Sequence, residues 1–310
     1  MLSSTAKNLY WMGRYLQRAK STARLIEATQ RMALQSRGEE AAGVAAIFGM
    51  EDEFRQTQQQ SSGQLASLID FLVVDENNPS SIVSSIGAAR RNAREERNNI
   101  TVDVWESLNA LWLELNGRLR VDRSALDRGA LIESVKKQAV MIFGAAQVTL
   151  LRDEAYNFLQ LGAFLERADN TARILDVKYH VLLPDHALVG GGLDYYQWAA
   201  ILRSVSALTS YRWVYRSGVK PWLVADLLIL KEAMPRSLAN CYGSLSFYLD
   251  EISGAYGRQG PSQRLARALH ARLRNANIEA IFQSGLHEFV QNFLEENNRL
   301  GAAIAEQYLI

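Results

Sequence analysis

The chain has 310 residues, of which 48% are hydrophobic and 22% are charged, and its formal net charge is +1. This length can bury a substantial core in one large or two ordinary domains, and the composition excludes an intrinsically disordered chain. The balanced charge gives no support to a dedicated nucleic-acid-binding protein, which usually carries a basic excess or a basic stripe.

The beginning of the chain and its cysteine content bear on the compartment. The first residues show no basic region followed by an apolar run, so we expect no signal peptide. No stretch of about 18 uncharged apolar residues occurs, so we expect no membrane-spanning helix. Because Cys241 is the only cysteine, no disulfide can form within the chain, which favours a reducing compartment. We therefore expect a cytoplasmic protein that does not act in a membrane.

The first predicted element is a long helix over residues 8–27. Apolar residues recur at alternating spacings of three and four from Leu9 to Ile26, which is typical of a long helix packed near-antiparallel to its neighbours. Gly13 and several alanines lie on the same helix, where small residues allow another backbone to approach closely.

Prolines mark the starts of two later elements. A polar, low-complexity stretch over residues 55–64 predicts a loop or a solvated helix end. After it, Pro79 follows an apolar run and is predicted to occupy the first turn of a helix, with Ser81 in the same turn. The pattern recurs at Pro235 and Ser237.

An arginine-rich segment over residues 88–99 places four arginines within eight residues. Three of them, Arg91, Arg94 and Arg97, are candidates for holding an anionic ligand, because arginine binds phosphate or carboxylate in a bidentate way. Glu95 and Glu96 interrupt the run, so a solvated or ion-paired helix face is the alternative.

Residues 157–176 repeat the first helix 149 positions later. Eight of the twenty positions are identical in the two copies: Asn8/Asn157, Gly13/Gly162, Leu16/Leu165, Arg18/Arg167, Ala19/Ala168, Thr22/Thr171, Ala23/Ala172 and Arg24/Arg173. The two proline-serine segments match in nearly the same register. We therefore predict an all-α fold, an elongated multi-helix bundle without a sheet. It would consist of two related halves, residues 1–150 and 151–310, produced by an internal duplication.

Helical spacing puts a row of polar residues on one face of the second copy, pointing away from the apolar seam: Glu166, Asn170, Arg173 and His180. Such a row could bind a carboxylate, phosphate or amide group, or it could consist of surface ion partners. The first copy carries Gln17, Ser21 and Arg24 in the same register. Two such rows could form one polar cavity between helices, or a structural lock that joins the helices.

Other candidate sites receive weaker support. Residues 183–196 contain Pro184 and three consecutive glycines, which predict a flexible linker, since no Lys-Ser/Thr follows as in a P-loop. Arg236 lies at a predicted helix start, which is either an anion site or a capped helix with an exposed arginine. Cys241 is predicted to be a small buried hydrophobe. The four histidines show no recurring ligand spacing and no cofactor fingerprint occurs, so we expect no metal and no cofactor.

The duplicated helix, the segments NPSSI and MPRSL and the arginine-rich run together resemble the bacterial Alpha-E family, a helical domain named for a Glu-Arg motif. The resemblance covers essentially the whole chain, and the motif matches Glu166-Arg167. The first copy departs from the motif, with Gln17 before Arg18 and Lys20 in place of Asp169. Genes of this family lie beside genes for ATP-grasp ligase-like and transglutaminase-like proteins, which implies a peptide-ligation or peptide-modification system.

Three functions remain open at this level. The first is a non-catalytic or co-catalytic helical partner that binds the ligase, a peptide or an anionic substrate. The second is an enzyme in which Glu166 acts as acid or base, and the third is an RNA-binding helical module, although nucleic acid is not the expected partner. The sequence also leaves a homo-oligomer open. The candidate residues are Glu166 and Arg167 for a working site, and Arg18, Arg24, Arg91, Arg94, Arg97, Asn170, Arg173 and Arg236 for binding.

Overall fold

The computed structural model describes residues 1–33, 64–121, 127–181, 192–257 and 259–310. Within these ranges the chain forms helices and no strand, so the predicted all-α fold class is confirmed. None of the helices in these ranges combines the length and the apolar character needed to cross a membrane.

The helices are numbered here in chain order over the described residues. Up to residue 150 they are α1 (Ser3–Ala33), α2 (Gln64–Val73), α3 (Ile82–Glu95), α4 (Val102–Val121) and α5 (Arg128–Thr149). Beyond it they are α6 (Glu154–Val181), α7 (Gly192–Ser204), α8 (Leu208–Tyr215), α9 (Pro221–Ile229), α10 (Leu238–Tyr256), α11 (Pro261–Asn275), α12 (Ile278–Ser284) and α13 (Leu286–Tyr308).

The two repeated helices, α1 and α6, form the centre of the molecule and pack along each other. Helices α3 and α5 pack on α1, and helices α10 and α13 pack on α6. The apolar residues of both copies are almost fully buried at this seam, including Leu9, Met12, Leu16, Leu161 and Leu165. Burial of each such side chain stabilises the fold by about 1.5–3 kcal/mol.

Glycine allows the two central helices to touch backbone to backbone. A Cβ atom on Gly13 would overlap the carbonyl oxygen of Leu159, and a Cβ atom on Gly162 would overlap the carbonyl oxygen of Tyr10. The two contacts are reciprocal, because Gly162 and Leu159 lie 149 positions after Gly13 and Tyr10. The contact between α1 and α6 is therefore nearly symmetric around these glycines.

The central helices run in the same direction. Contacting positions rise together along both helices, from Met1, just ahead of α1, with Glu154 to Arg18 with Glu166. The prediction of near-antiparallel neighbours is therefore wrong for this pair. It is correct for α1 and α5, where Lys20 lies near Phe143 and Glu27 pairs with Lys136. Apolar periodicity fixes the buried face of a helix, but it carries no information about the direction of its partner.

The predicted starts of α3 and α10 need correction. Ser81 and Ser237 precede these helices as N-caps, and their hydroxyls accept hydrogen bonds from the amides of Ser84 at 3.2 Å and Asn240 at 3.0 Å. Pro79 and Pro235 therefore lie ahead of the caps and not in the first helical turn. A serine cap satisfies an otherwise unpaired helix amide, which decides where each helix begins.

Two predicted segments fall mostly outside the part of the chain that the structure describes. These are the polar stretch 55–64, of which residues 55–63 lie outside, and the linker 183–196, of which residues 183–191 lie outside. The division into halves 1–150 and 151–310 stays a prediction, as does the origin of the halves by duplication.

Candidate functional site

Glu166 lies on α6 in the contact with α1, and its side chain is only 4% exposed. Two arginines of α1, one turn apart, bind its two oxygens. Arg14 Nε donates to Oε2 at 2.8 Å, while Arg18 Nε donates to Oε1 at 2.6 Å and Arg18 Nη2 donates to Oε2 at 3.1 Å. The rings of Trp11 and Tyr15 lie against the two guanidinium groups, with centroids at 5.1 and 5.7 Å. Both oxygens of Glu166 are therefore engaged.

Glu166, Arg14 and Arg18 form a triad, and all three side chains are charged near pH 7. Burial alone would raise the pKa of Glu166, but Arg14 and Arg18 outweigh it and lower that pKa to about 2. Burial would lower the pKa of both arginines, but the Glu166 carboxylate raises the pKa of each instead. A carboxylate that stays ionised near pH 7 joins α1 to α6 and is a poor proton donor or acceptor there.

The prediction that this polar row on α6 faces away from the apolar contact is wrong for Glu166. Glu166 is buried against α1 and does not face solvent. Arg173 pairs with Asp169 at 2.7 Å, one turn earlier on the same helix, and Asn170 Nδ2 donates to the backbone carbonyl of Glu166 at 2.8 Å. The side chain of His180 lies outside the described part of the chain. The central contact is filled by side chains here, and the predicted inter-helix lock is the better description of Glu166.

A second group of charged side chains lies where α1, α6 and the start of α10 meet. We name it the cationic cluster, and it consists of Lys20, Arg24, Arg167 and Arg236. Arg167 Nη1 donates to the carbonyl oxygen of Pro235 at 3.4 Å, and Thr171 Oγ1 donates to the carbonyl oxygen of Arg236 at 2.9 Å. These bonds fix the segment before α10 on α6 and place Arg236 beside Arg167.

The cationic cluster forms no ion pair with a carboxylate within the part of the chain that the structure describes. The Nε atoms of Arg24 and Arg167 are buried and have no hydrogen-bond partner in the same part of the chain. Lys20 is 9% exposed, and its Nζ lies 5.2 Å from the centre of the Phe143 ring. Buried donors and charges of this kind are costly unless a partner satisfies them.

Burial and repulsion between the four cations lower the pKa values of the cluster. Burial, together with the charges of Arg236, Arg167 and Arg24, lowers the pKa of Lys20 to about 7. Burial, with Arg24 and Arg167, lowers the pKa of Arg236 to about 9. Burial is also the main cause that lowers the pKa of Arg24 and of Arg167. An anion bound here would relieve the repulsion.

A cavity of about 290 Å³ adjoins the cluster at Arg24. Arg203 of α7, the polar residues Ser206 and Thr209, and Glu27 also line this cavity. Glu27 is engaged by Lys136 Nζ at 2.6 Å. The cluster therefore has an adjoining space of small-molecule size, with a further arginine on its wall.

The two copies of the repeated helix explain why one charge group is balanced and the other is not. Gln17 occupies the position that corresponds to Glu166, and Lys20 occupies the position that corresponds to Asp169. In the second copy these carboxylates serve Arg18 and Arg173. Because these carboxylates are replaced in the first copy, the corresponding arginines, Arg167 and Arg24, form no ion pair with a carboxylate among the described residues.

Sequence reasoning found part of this arrangement. It selected Arg24, Arg167 and Arg236 as separate candidates, and the structure brings them together. It noted Lys20 only as a departure from the motif, and it missed Arg14, although the spacing of Arg14 and Arg18 on one helix face was a usable signal.

The remaining arginine candidates do not join either group. Arg91, Arg94 and Arg97 are exposed at the end of α3 and just beyond it. Neighbouring Glu96 accepts a hydrogen bond from Asn8 Nδ2 at 2.7 Å, which places this end of α3 beside the first turns of α1. Lys20 lies twelve residues further along α1, or about 18 Å away. These three arginines form a separate predicted surface.

Neither Cys241 nor the potential metal ligands of the described residues form a further candidate site. Cys241 is buried, as predicted, and burial raises the pKa of its thiol to about 11 although Arg167 and Arg236 oppose the change. A thiol in that state is a poor nucleophile. Among the described residues, no group of three or more potential metal-binding side chains occurs.

Comparisons with known proteins agree with the resemblance. A model of the family Alpha-E, a predicted alpha-helical domain with a conserved ER motif, matches residues 1–309. Uncharacterized proteins from Mycobacterium bovis and Mycobacterium tuberculosis are 22% identical over 296 residues, which cover 88% of this chain and 32% of each relative. The chain thus spans about a third of the length of these curated relatives. No solved structure matches it.

The chain contains two Glu-Arg dipeptides, Glu96-Arg97 and Glu166-Arg167. In both, the glutamate is buried and bound by α1, through Asn8 in the first case and through two arginines in the second. The arginines differ, because Arg97 is exposed beside the Trp105 ring, whereas Arg167 belongs to the cationic cluster.

Proposed function

Because the chain belongs to the Alpha-E family, we propose that it is a helical accessory protein and not itself the catalyst. It acts in the cytoplasm beside an ATP-grasp ligase-like protein and a transglutaminase-like protein, in a system that modifies peptides. Its task is to bind the ligase, the peptide or an anionic substrate. The association with these two proteins comes from the family resemblance, and the binding task comes from the geometry.

The main support for this proposal is that the Glu166 carboxylate is ionised and fully hydrogen-bonded. An acid-base enzyme needs a group whose pKa lies near the working pH and whose reactive atom reaches the substrate. Glu166 has a pKa lowered to about 2, and both of its oxygens accept hydrogen bonds from Arg14 and Arg18. The conserved motif of the family therefore supports a structural joint in this chain better than it supports proton transfer.

The adjacent residue supports a binding role. Arg167 lies next to Glu166 in sequence, but it belongs to a group of four cations that lack a carboxylate partner over the described residues. Four neighbouring cations favour the binding of an anionic ligand, because the anion relieves the repulsion between them. The longer mycobacterial relatives carry the matched region beside other sequence, as expected for a module that works with further domains.

The test is complex formation and ligation with purified proteins. We expect the chain and the ATP-grasp ligase-like protein of the same organism to co-elute in size-exclusion chromatography, and we expect the chain to stimulate peptide ligation severalfold. Arg167→Gln should reduce the stimulation, whereas Arg299→Gln on the exposed side of α13 should not. Separate elution, together with ligation that a saturating amount of the chain leaves unchanged, would overturn the proposal.

The alternative hypothesis, that the chain is itself an enzyme, predicts a different result. If Glu166 were an acid or base, the isolated chain would turn over a substrate, and Glu166→Gln would abolish turnover while leaving the fold intact. We expect instead that Glu166→Gln acts through the stability of the chain.

A further inference from the structure

We propose that the cationic cluster is a binding site for a phosphoryl group that carries two negative charges. This inference rests on the proposed binding function and names the class of ligand. It concerns a site within this chain alone, so it can be tested without the ligase.

The geometry supplies donors from three directions. Lys20 and Arg24 come from α1, Arg167 comes from α6, and Arg236 comes from the segment before α10. The buried Nε atoms of Arg24 and Arg167 have no acceptor within the described residues. A phosphoryl group offers three acceptor oxygens, and guanidinium groups bind such oxygens in pairs.

The number of cations that Glu166 neutralises indicates how much negative charge the ligand should carry. There, one carboxylate with a single negative charge suffices for two arginines, Arg14 and Arg18. The cationic cluster has twice as many cations, and none of them forms an ion pair with a carboxylate in the described ranges. By the same ratio it needs about two negative charges, which a phosphate monoester supplies near pH 7 and a single carboxylate does not.

The adjoining cavity limits the rest of the ligand. Its volume of about 290 Å³ is at the lower end of the range for small-molecule sites. Arg203, Ser206 and Thr209 on its wall can donate to further oxygens. A small phosphate monoester fits this space, and the end of a nucleotide is the other source of the same chemistry.

Binding should be coupled to a proton on Lys20. The pKa of Lys20 lies at about 7 in the free protein, and a bound dianion would raise it. The groups that act on it are the other three cations of the cluster, while the Phe143 ring faces it from α5. Glu27 and Glu133 act on Arg24, and Cys241 and Tyr248 act on Arg167. At pH 8 the free protein holds Lys20 mostly neutral, so binding takes up a proton.

The experiment is isothermal titration of the purified chain with inorganic phosphate, with acetate as the carboxylate probe at the same ionic strength. We expect phosphate to bind and acetate to bind at least tenfold more weakly. At pH 8, the heat of phosphate binding should vary with the ionisation enthalpy of the buffer, because binding takes up a proton. Acetate that binds as tightly as phosphate, or phosphate that does not bind, overturns the proposal.

Substitutions locate the site. Lys20→Met and Arg236→Gln should each weaken phosphate binding about tenfold, which is the effect of losing one hydrogen bond to a charged group. Lys20→Met should also remove the proton uptake, whereas Arg299→Gln should change neither quantity. Circular dichroism establishes that the variants are folded. Equal weakening by Arg299→Gln, or none by the two cluster variants, would place the phosphate elsewhere and overturn the assignment.

Titration with ADP separates the two sources of the phosphoryl group. ADP that binds no more tightly than phosphate assigns the site to free phosphate or a small monoester. Tighter ADP binding that Arg203→Ala weakens assigns it to a nucleotide. Either result supports a phosphoryl site, and both are independent of complex formation with the ligase, so the two proposals can fail separately.

Discussion

Glu166 and Arg167 are neighbours in sequence, but the protein places them in opposite electrostatic environments. Successive residues on a helix point about 100° apart, so the two side chains of α6 face different neighbours. Glu166 meets the arginines of α1, and Arg167 meets the segment before α10. One member of the motif therefore has its charge balanced by arginines of α1, and the other has no carboxylate partner among the described residues.

Glu166→Gln should destabilise the protein by about 3 kcal/mol or more, because it leaves Arg14 and Arg18 buried without a counter-charge. Urea denaturation followed by circular dichroism measures the loss. Glu133→Gln, which removes a carboxylate of an exposed pair, is the control and should change the free energy of unfolding little. Equal effects of the two substitutions would show that the Glu166 triad is not a structural joint.

Lys20→Met should raise the free energy of unfolding, and the gain should depend on pH. The pKa of Lys20 is about 7 in the folded protein and about 10.5 in the unfolded chain, so its charge is disfavoured by folding. The resulting penalty is fully present below pH 7 and disappears as the pH rises towards 10.5. The gain from Lys20→Met should therefore be larger at pH 6 than at pH 9, measured by denaturation without phosphate. A gain that is the same at both values contradicts the lowered pKa.

At the scale of the helices, the sequence specified the elements better than their ends or directions. The spacing of apolar residues predicted α1 and α6, because burying one face of a long helix requires that spacing. The starts of α3 and α10 were displaced, because the caps Ser81 and Ser237 decide where these helices begin. The shared direction of α1 and α6 is seen only in contacts between residues far apart in sequence, such as Arg18 with Glu166.

Gly13→Ala and Gly162→Ala should each destabilise the protein by about 1–3 kcal/mol or more, since the new methyl group forces the two central backbones apart. Gly144→Ala on α5 is a matched control, because a Cβ atom there meets no other atom within 4 Å. That control should leave stability unchanged or raise it by up to about 1 kcal/mol, as glycine is the weaker helix former. Thermal unfolding measures the three variants, and a melting temperature of Gly144→Ala as low as those of the other two would contradict the close helix contact.

Ser237→Ala should destabilise the protein by about 1–2 kcal/mol, because it removes the cap of α10. The loss should reach the higher end of the capping range, because Ser237 Oγ also donates to the carbonyl oxygen of Lys231 at 2.7 Å. Ser244→Ala within the same helix is the comparison and lacks a capping role. Chemical denaturation of both variants gives the difference, and equal losses would contradict the assignment of Ser237 as the cap.

At the scale of the whole molecule, the sequence allowed the fold class to be predicted, but not the site as a unit. Arg24, Arg167 and Arg236 come from three separate segments, and no pattern within one segment shows that they meet. A comparison of the two helix copies shows that Gln17 and Lys20 replace the carboxylates of the second copy. The consequence of this replacement can be seen only in the structure, where α1 and α6 lie side by side and the Glu166 carboxylate of α6 serves Arg18 of α1.

Restoring both carboxylates should convert the cationic cluster into a balanced group. In the double variant Gln17→Glu with Lys20→Asp, the new side chains occupy the positions that correspond to Glu166 and Asp169. We expect a higher melting temperature without phosphate and no further rise when phosphate is added. Differential scanning calorimetry of the wild type and the double variant checks both expectations. A phosphate response that survives in the double variant would contradict the cluster as the phosphate site.

The contact between Gly13 and Gly162 also has a consequence for the order in which the protein is made. The two glycines are separated by 149 residues, and ribosomes add about 5–20 residues per second. Helix α1 therefore emerges on the order of ten seconds before the helix that covers it. During that interval its apolar seam lies open to chaperones and to other nascent chains. Completion of the core depends on the arrival of α6.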